Sequence, residues 1–297
     1  MLKKYSYCVG GVRFVLTTQP GIELLLPYNE YAEFLNVRDE ECCEPDEITA
    51  EVLFSRPTDT GGMKTLFEAE ESWSVLSDDS YYFIRFEDQV SGGLQMLVRF
   101  DSEMKDLTLY CSPELLNDEG SAVSPLHYPL DQILLMLYLS LRNGLIVHSA
   151  GFSLCGRGYL FPGCSGTGKS TISRKLLKNT GVGCLSDDRI IIRKTEDSFK
   201  MFGTPWPGEA GIAVNKSAPL SGIFFLVQSR ENRIEKITDA EAFRRFMPVL
   251  SIPWFDKDAI NGCFSIVKEL ISEVPLYILH FTPEIRVEDF FEEFARA

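Results

Sequence analysis

The sequence predicts an α/β protein of mixed α+β type, with a β-rich N-terminal domain (residues 1–127) followed by a second domain (residues 128–297). Three observations predict this division. Short β-prone runs dominate the first part, an apolar helix follows at residues 128–143, and a strand, a glycine loop and a helix succeed one another after residue 145. A chain of 297 residues also exceeds the usual size of one domain, so two domains are expected.

The composition excludes several classes of function. Hydrophobic residues make up 45% of the chain and charged residues 24%, which is typical of a soluble globular protein. A formal net charge of −14 disfavours binding to nucleic acid or to an anionic membrane surface. No apolar run approaches the roughly 20 residues that a membrane-spanning helix needs. The eight cysteines form no C-x-x-C pair, and no signal peptide follows Met1, so the sequence favours a cytoplasmic protein with mostly reduced cysteines.

The N-terminal domain is predicted to be antiparallel and β-rich, because glycine-containing turns separate its β-prone runs. These runs cover residues 12–16, 22–26, 81–86, 94–100 and 107–110. The acidic stretch at residues 39–51 is interpreted as a solvated loop, because its carboxylates lack the regular spacing of metal ligands.

The helix at residues 128–143 is strongly apolar and ends at Asn143-Gly144, a pair typical of a helix C-terminus. A helix this apolar is expected to be packed on both sides, either joining the two domains or lying in a subunit interface. The remaining predicted strands cover residues 145–150, 158–162, 183–186, 189–193, 199–203, 222–227 and 276–281. The remaining predicted helices cover residues 171–178, 258–273 and 287–297, together with one that begins at the capping-box pair Thr238 and Glu241 and ends at Phe246.

The segment 163–170 matches the pattern G-x-x-x-x-G-K-[ST] at every fixed position. Glycines allow consecutive backbone N–H groups to surround an anion, and the positive end of the following helix favours the same charge. The pattern therefore predicts a P-loop that binds a nucleotide or another polyphosphate. The residues assigned to this binding are Gly163, Cys164, Ser165, Gly166, Thr167, Gly168, Lys169, Ser170 and Thr171.

Polar side chains near the loop supply candidates for chemistry. His148 comes near the loop if strands 145–150 and 158–162 pair. Asp187 and Asp188 lie where two β-prone runs meet, and they point in opposite directions because strand side chains alternate. At least one of them is expected to face Mg²⁺ or an acceptor hydroxyl group, since a phosphate-transfer site needs a carboxylate nearby. We assign Ser170 and Asp187 to the metal.

The stretch from His148 to Asp188 resembles the C-terminal catalytic domain of bacterial HPr kinase/phosphorylase. The shared features are a strand histidine about twenty residues before the P-loop lysine, the loop itself, and Asp187-Asp188-Arg189 after the loop helix. The resemblance implies a P-loop kinase fold similar to that of phosphoenolpyruvate carboxykinase. The whole chain is more similar to the HPr kinase-related proteins, some of which accompany ribosomal-peptide (lasso-peptide) pathways and phosphorylate a serine.

The resemblance also implies roles for individual residues. Lys169 is expected to bind phosphate, Ser170 to ligate Mg²⁺, and Asp188 to act as the general base with His148 beside it. Glu209 is expected to be a second metal carboxylate. Because related enzymes assemble, a homo-oligomer is also implied.

The expected activity is Mg²⁺-dependent transfer of the γ-phosphoryl group of ATP to a hydroxyl group, that of a serine in a peptide or protein or that of a small molecule. Two alternatives stay open, a non-catalytic module that senses nucleotides and a simple NTPase. The sequence also leaves open the donor (ATP, another NTP or pyrophosphate), reverse phosphorolysis and the acceptor.

Overall fold

The computed structural model describes residues 3–35, 46–56, 60–69, 73–78, 80–88, 93–178, 181–196 and 198–285. The chain divides into two compact units. The first contains residues Met1–Leu134 together with Trp254–Asp256, and the second contains residues Leu135–Pro253 and Lys257–Ala297. The helix predicted at residues 287–297 lies outside the described residues.

The first unit is a sheet protein. Its strands are β1 (Lys3–Val9), β2 (Val12–Thr18), β3 (Glu23–Leu25), β4 (Asp46–Phe54), β5 (Lys64–Ala69), β6 (Trp73–Ser77), β7 (Tyr82–Glu87), β8 (Leu94–Phe100), β9 (Leu107–Cys111) and β10 (Ser121–Val123). The main sheet has the order β1-β2-β4-β9-β8-β7-β6-β5, and β3 and β10 form a small parallel pair. The expectation of a purely antiparallel domain is wrong, because β4 pairs in parallel with both β2 and β9.

The prediction of a solvated acidic loop is wrong for residues 46–51, which belong to β4, and residues 39–45 lie outside the described residues. Ile48, Ala50 and Val52 are buried, and the residues between them face outward. The carboxylates of Glu47 and Glu51 therefore lie on the exposed face of a strand inside the sheet, so neither charge is buried.

The first helix, α1 (Leu130–Ser140), is shorter at both ends than the predicted helix 128–143, and nearly all of its residues are buried. In the part of α1 that belongs to the first unit, Asp131 is fully buried. Its Oδ2 atom accepts hydrogen bonds from the hydroxyl groups of Tyr7 (2.8 Å) and Tyr31 (2.9 Å). This carboxylate is satisfied within the interior, as buried polar groups usually are.

The second unit has eight strands and three further helices among its described residues. The strands are β11 (Gly144–Leu154), β12 (Arg157–Pro162), β13 (Val182–Ser186), β14 (Arg189–Lys194), β15 (Phe199–Phe202), β16 (Ser217–Gln228), β17 (Arg233–Lys236) and β18 (Leu276–Phe281). The helices are α2 (Lys169–Leu176), α3 (Asp239–Phe246) and α4 (Lys257–Glu273). The mixed α/β class is therefore what the chain has. The helix predicted from Thr238 to Phe246 is confirmed, and the Thr238 hydroxyl oxygen accepts from the N–H of Glu241 at 3.3 Å. The Glu241 carboxylate contacts Arg244 and Arg245.

Pairing in the second unit closes a ring of strands in the order β12-β11-β14-β15-β16, because β16 also pairs with β12. The long strand β11 changes partners along its length, pairing with β14 over residues 144–148 and with β12 over residues 149–154. Strands β12, β16 and β18 run parallel to one another, so their carboxyl ends lie at one edge. In parallel sheets, that edge is the usual place for a ligand site.

Two hydrophobic clusters fill the second unit. One contains the buried residues of α3, α4, β14 and β15, and the other packs Ile172 and Leu176 of α2 against β11, β12, β16 and β18. This second cluster anchors α2 by one apolar face. The first turn of α2 is therefore held at the edge of the sheet where the carboxyl ends of the parallel strands lie and where the glycine loop ends.

Candidate functional site

The glycine loop (residues 163–168) connects β12 directly to α2. Gly168 is the residue before the helix and has a φ angle of 106°, a left-handed conformation that favours glycine. A Cβ atom at Gly168 would also lie 2.3 Å from Cζ of Phe281 at the end of β18. Glycine is therefore required here for two independent reasons, and the loop can bring backbone N–H groups to the N-terminus of α2, a geometry that suits an anion.

Lys169 begins α2 and is only 8% exposed. Its Nζ atom donates to the carbonyl oxygens of Gly163 (2.6 Å) and Cys164 (3.3 Å) and lies 3.0 Å from Nε2 of His148. Burial lowers the pKa of the Lys169 ammonium group, although the charge of Asp188 opposes this shift. A partly desolvated cation at the loop is a strong partner for phosphate oxygens.

His148 and Asp188 meet because β11 pairs with β14, where His148 lies opposite Arg189. His148 Nε2 lies 3.0 Å from Asp188 Oδ1, and Arg189 donates to Asp188 Oδ2 at 2.8 Å. Burial alone would raise the pKa of Asp188, but the hydrogen bond from His148 and the charges of Arg189 and Lys169 outweigh it and lower the pKa. The carboxylate is therefore ionised at neutral pH and surrounded by donors.

The Nε2 atom of His148 can serve only one of its two neighbours at a time. It donates to Asp188 when it carries a proton and accepts from Lys169 when it does not. The carbonyl oxygen of His148 also accepts from the N–H of Gly163 at 3.1 Å, which fixes the strand end beside the glycine loop. Lys169, His148 and Asp188 thus form one continuous polar chain.

Asp187 and Asp188 lie in the bend between β13 and β14, outside both strands, so the alternation of strand side chains does not apply to them. Asp187 has partners of its own. It is buried, and its carboxylate accepts from the backbone N–H groups of Gly208 (2.9 Å), Ala210 (2.7 Å) and Ile212 (3.2 Å). These bonds tie the segment 208–212 to the end of β13. Asp188 and Asp187, although adjacent, therefore have different partners.

Ser170 and Glu209 approach each other across the site, with the Ser170 hydroxyl group 3.3 Å from Oε2 of Glu209. Both residues line a cavity of about 530 Å³ that opens at the glycine loop. The predicted residues that line it are His148, Ser165, Gly166, Gly168, Lys169, Ser170, Thr171, Asp187, Asp188 and Glu209. A cavity of this size is within the range of small-molecule sites.

The other predicted loop residues lie in the loop but outside the cavity lining. Gly163 accepts from Lys169, as described above. The Thr167 hydroxyl group donates to the carbonyl oxygen of Cys164 at 2.9 Å, and Cys164 is exposed. Outside the loop, Trp206 is buried, and Lys216 is exposed and does not line this cavity.

Three lining residues were not assigned to the site from the sequence: Arg174, Gly208 and Gln228. Arg174 lies one helical turn after Ser170, and its Nε atom donates to the Ser170 carbonyl oxygen at 3.1 Å. The helical period could therefore have identified it. Gln228 ends β16 and donates to the Gly166 carbonyl oxygen at 3.1 Å. Only the parallel pairing of β12 and β16 brings it to the loop.

The residues present fit a nucleotide with Mg²⁺. Mg²⁺ prefers oxygen ligands and is often held by one or two protein groups together with substrate phosphates, which suits the Ser170 and Glu209 pair. Within the described part of the chain, no group of three or more His, Cys, Asp and Glu side chains is arranged to hold a metal by itself. The oxygen atoms of Asp187 are already engaged by N–H groups, so this residue fits the metal least well.

The fold and the site together define an α/β protein with a glycine-rich loop at a helix N-terminus. The chain belongs to the family described as SynChlorMet cassette protein ScmC, whose family model matches residues 114–293, more than half of the chain. A search of curated proteins finds no match. Among solved structures, the Hpr(Ser) kinase/phosphatase from Coxiella burnetii is similar at 13% identity over 51% of this chain and 88% of that one. Its TM-score of 0.29 is too low to support a conclusion.

None of the described helices combines the length and apolar character needed to cross a membrane. Of the described cysteines, Cys111, Cys155, Cys164, Cys184 and Cys263 are free thiols. Cys8 is disulfide-bonded, so the expectation of reduced cysteines fails at that position.

Proposed function

We propose that this chain is a Mg²⁺-dependent phosphotransferase that moves the γ-phosphoryl group of ATP to a hydroxyl group, that of a serine in a peptide or protein or that of a small molecule. We further propose that residues 128–297 have the P-loop kinase fold of the HPr kinase type. One observation carries the proposal: Lys169, His148 and Asp188 are linked by contacts of 3.0 Å at the end of the glycine loop. This arrangement places a cation for phosphate beside a carboxylate for a proton.

Binding of the donor is assigned to the glycine loop and Lys169. Backbone N–H groups at the start of α2 and the buried ammonium group of Lys169 offer positive charge to the phosphate oxygens. Arg174 and Gln228 line the same cavity and add donors. Mg²⁺, when bound, neutralises phosphate charge, and Ser170 and Glu209 are the residues that would hold it.

Proton removal is assigned to Asp188. Its carboxylate takes the proton of the acceptor hydroxyl group while the bond from that oxygen to the γ-phosphorus forms. The bond from the γ-phosphorus to the bridging oxygen breaks, and its electron pair leaves with the diphosphate. The lowered pKa of Asp188 keeps the carboxylate ionised, and a weak base suffices because the transition state of phosphoryl transfer is loose. His148 and Arg189 orient the carboxylate.

The test is transfer of labelled phosphate from γ-³²P-ATP to candidate peptides and alcohols by the full chain and by Lys169→Met. We expect the substitution to lower kcat/KM by about 10²–10³-fold or more, because the charge that binds the transferring group is lost. The matched control is Lys178→Met, which removes an exposed lysine just beyond α2 and should retain activity. Full transfer by Lys169→Met would refute the proposal, and release of free phosphate without transfer would favour an NTPase.

A further inference from the structure

The Asp187 carboxylate binds the backbone of a loop, and its oxygen atoms are not left open to coordinate a ligand. Its Oδ1 atom accepts from the N–H groups of Gly208 and Ile212, and its Oδ2 atom accepts from that of Ala210. Hydrogen bonds to an ionised group are stronger than those between neutral groups. Three such bonds from alternate residues of one segment fix its backbone around a single buried side chain.

The segment held in this way contains Glu209, between two of the three bonded residues. Glu209 Oε2 reaches the Ser170 hydroxyl group at 3.3 Å. The place of the Glu209 carboxylate relative to the glycine loop therefore depends on the backbone that Asp187 organises. The same segment is linked to the end of β13 by a bridge between Ser186 and Ala213.

Close approach of the segment to the two aspartates depends on Gly208. A Cβ atom at this position would lie 2.9 Å from Asp187 Oδ2 and 3.0 Å from the Cβ atom of Asp188. A Cβ atom at this position must displace the segment or the two aspartates. Substitution of Gly208 is therefore a second way to move Glu209, one that changes no carboxylate.

We propose that Asp187 is a positioning residue that sets the place of Glu209, and that Glu209, not Asp187, is the metal-facing carboxylate. The catalytic part of this inference rests on the proposed function, whereas the loop geometry does not depend on it. Three of the acceptor sites of the Asp187 carboxylate are occupied by N–H groups, and a metal on the same oxygens would compete with them. The two adjacent aspartates then divide the work: Asp188 faces the reacting hydroxyl group, and Asp187 acts through the loop.

The first test measures the loop without any ligand. Hydrogen–deuterium exchange of the metal-free full chain should show slow exchange at the amides of Gly208, Ala210 and Ile212. Asp187→Asn should speed exchange there, because an amide side chain offers one acceptor oxygen and turns an NH₂ group toward a backbone donor. Glu209→Gln is the matched control and should leave exchange unchanged. Unprotected amides in the wild-type chain would overturn the inference, whatever its activity.

The second test measures the metal directly, by electron paramagnetic resonance titration of Mn²⁺ in the presence of ADP. Asp187→Asn should weaken Mn²⁺ binding by about 10–100-fold, the usual effect of losing a ligand's supporting partner, and Glu209→Gln, which removes the ligand itself, should weaken it at least as much. The double variant should bind no more weakly than Glu209→Gln alone, because Asp187 acts through Glu209. Multiplicative losses in the double variant would identify Asp187 as a ligand and overturn the inference.

A further variant keeps the test decisive if Asp187→Asn does not fold. Gly208→Ala leaves every carboxylate in place but displaces the loop, so it should weaken Mn²⁺ binding to a similar degree. Unchanged Mn²⁺ binding in Gly208→Ala would overturn the inference.

In transfer assays, the positioning role predicts a raised Mg²⁺ activation constant, with kcat recovered at saturating Mg²⁺. If Lys169→Met retains transfer, the proposed reaction fails while the exchange experiment still decides the loop assignment.

Discussion

Two aspartates in different units of the chain show how the partners of a carboxylate distinguish a structural role from a chemical one. Asp131 is fully buried and accepts from two neutral tyrosine hydroxyl groups. The Asp188 side chain is 30% exposed, opens on the cavity, and contacts His148 and Arg189. Neutral donors with no access to solvent stabilise an interior, whereas cationic donors beside a cavity keep a carboxylate ionised where a substrate can reach it.

The largest effect is expected at Asp188. Asp188→Asn should lower kcat for phosphoryl transfer by about 10²–10⁴-fold, the usual contribution of a general base. Nucleotide affinity, measured by isothermal titration calorimetry, should change little, because the proposed role of Asp188 is toward the acceptor hydroxyl group and the substitution leaves the glycine loop amides in place. Retained transfer by Asp188→Asn would contradict the general-base role. Nucleotide binding without any transfer by the wild-type chain would favour the alternative of a nucleotide-sensing module.

Substitution of Asp131 should lower the stability of the fold and leave catalysis unchanged. Asp131→Ala should lower the free energy of unfolding by roughly 2–6 kcal/mol, because two buried hydroxyl groups lose their acceptor at about 1–3 kcal/mol each. Burial raises the pKa of Tyr7 well above its ordinary value, so its hydroxyl group stays a donor that needs a partner. Urea unfolding measures the loss, and kcat per folded molecule should be unchanged. A loss of kcat without a loss of stability would contradict the structural role.

The pH dependence of the free energy of unfolding tests the ionised state of Asp188. The folded-state pKa of Asp188 lies below its ordinary value of 3.8, so the ionised carboxylate stabilises the fold above that value. This stabilisation is lost as the pH falls through the lowered pKa. In urea unfolding, the difference in free energy between wild type and Asp188→Asn should therefore narrow only below about pH 4. Narrowing that begins well above pH 5 would contradict the lowered pKa.

The smallest effect is expected for the thiols, which divide between the interior and the exposed surface. Burial raises the pKa of Cys111 and Cys184 to about 12 and that of Cys263 to about 11, so these thiols should resist iodoacetamide at neutral pH. Cys155 and Cys164 are exposed and should react. ATP with Mg²⁺ should slow labelling of Cys164 several-fold and leave Cys155, the matched control, unaffected. Equal labelling of Cys164 with and without nucleotide, measured by peptide mass spectrometry, would argue against binding at the loop.

Much of the second unit is predictable because its signals are local. A strand, a glycine loop and a helix follow one another in the sequence, and each depends on the conformational preferences of adjacent residues. The strands β1, β4, β5, β6, β10 and β17 were not predicted. In β4, charge on the exposed face of a strand resembles charge in a loop.

The sequence by itself determined the glycine loop, the lysine that follows it, the nearby histidine and the pair of aspartates, because these depend on spacing along one stretch of chain. Only the tertiary structure decided which partners the two aspartate carboxylates have, that Asp187 holds the segment around Glu209, and that Gln228 reaches the loop. Those contacts join residues about twenty to sixty positions apart. Strand pairing and close backbone approach, rather than any local preference, bring such residues together.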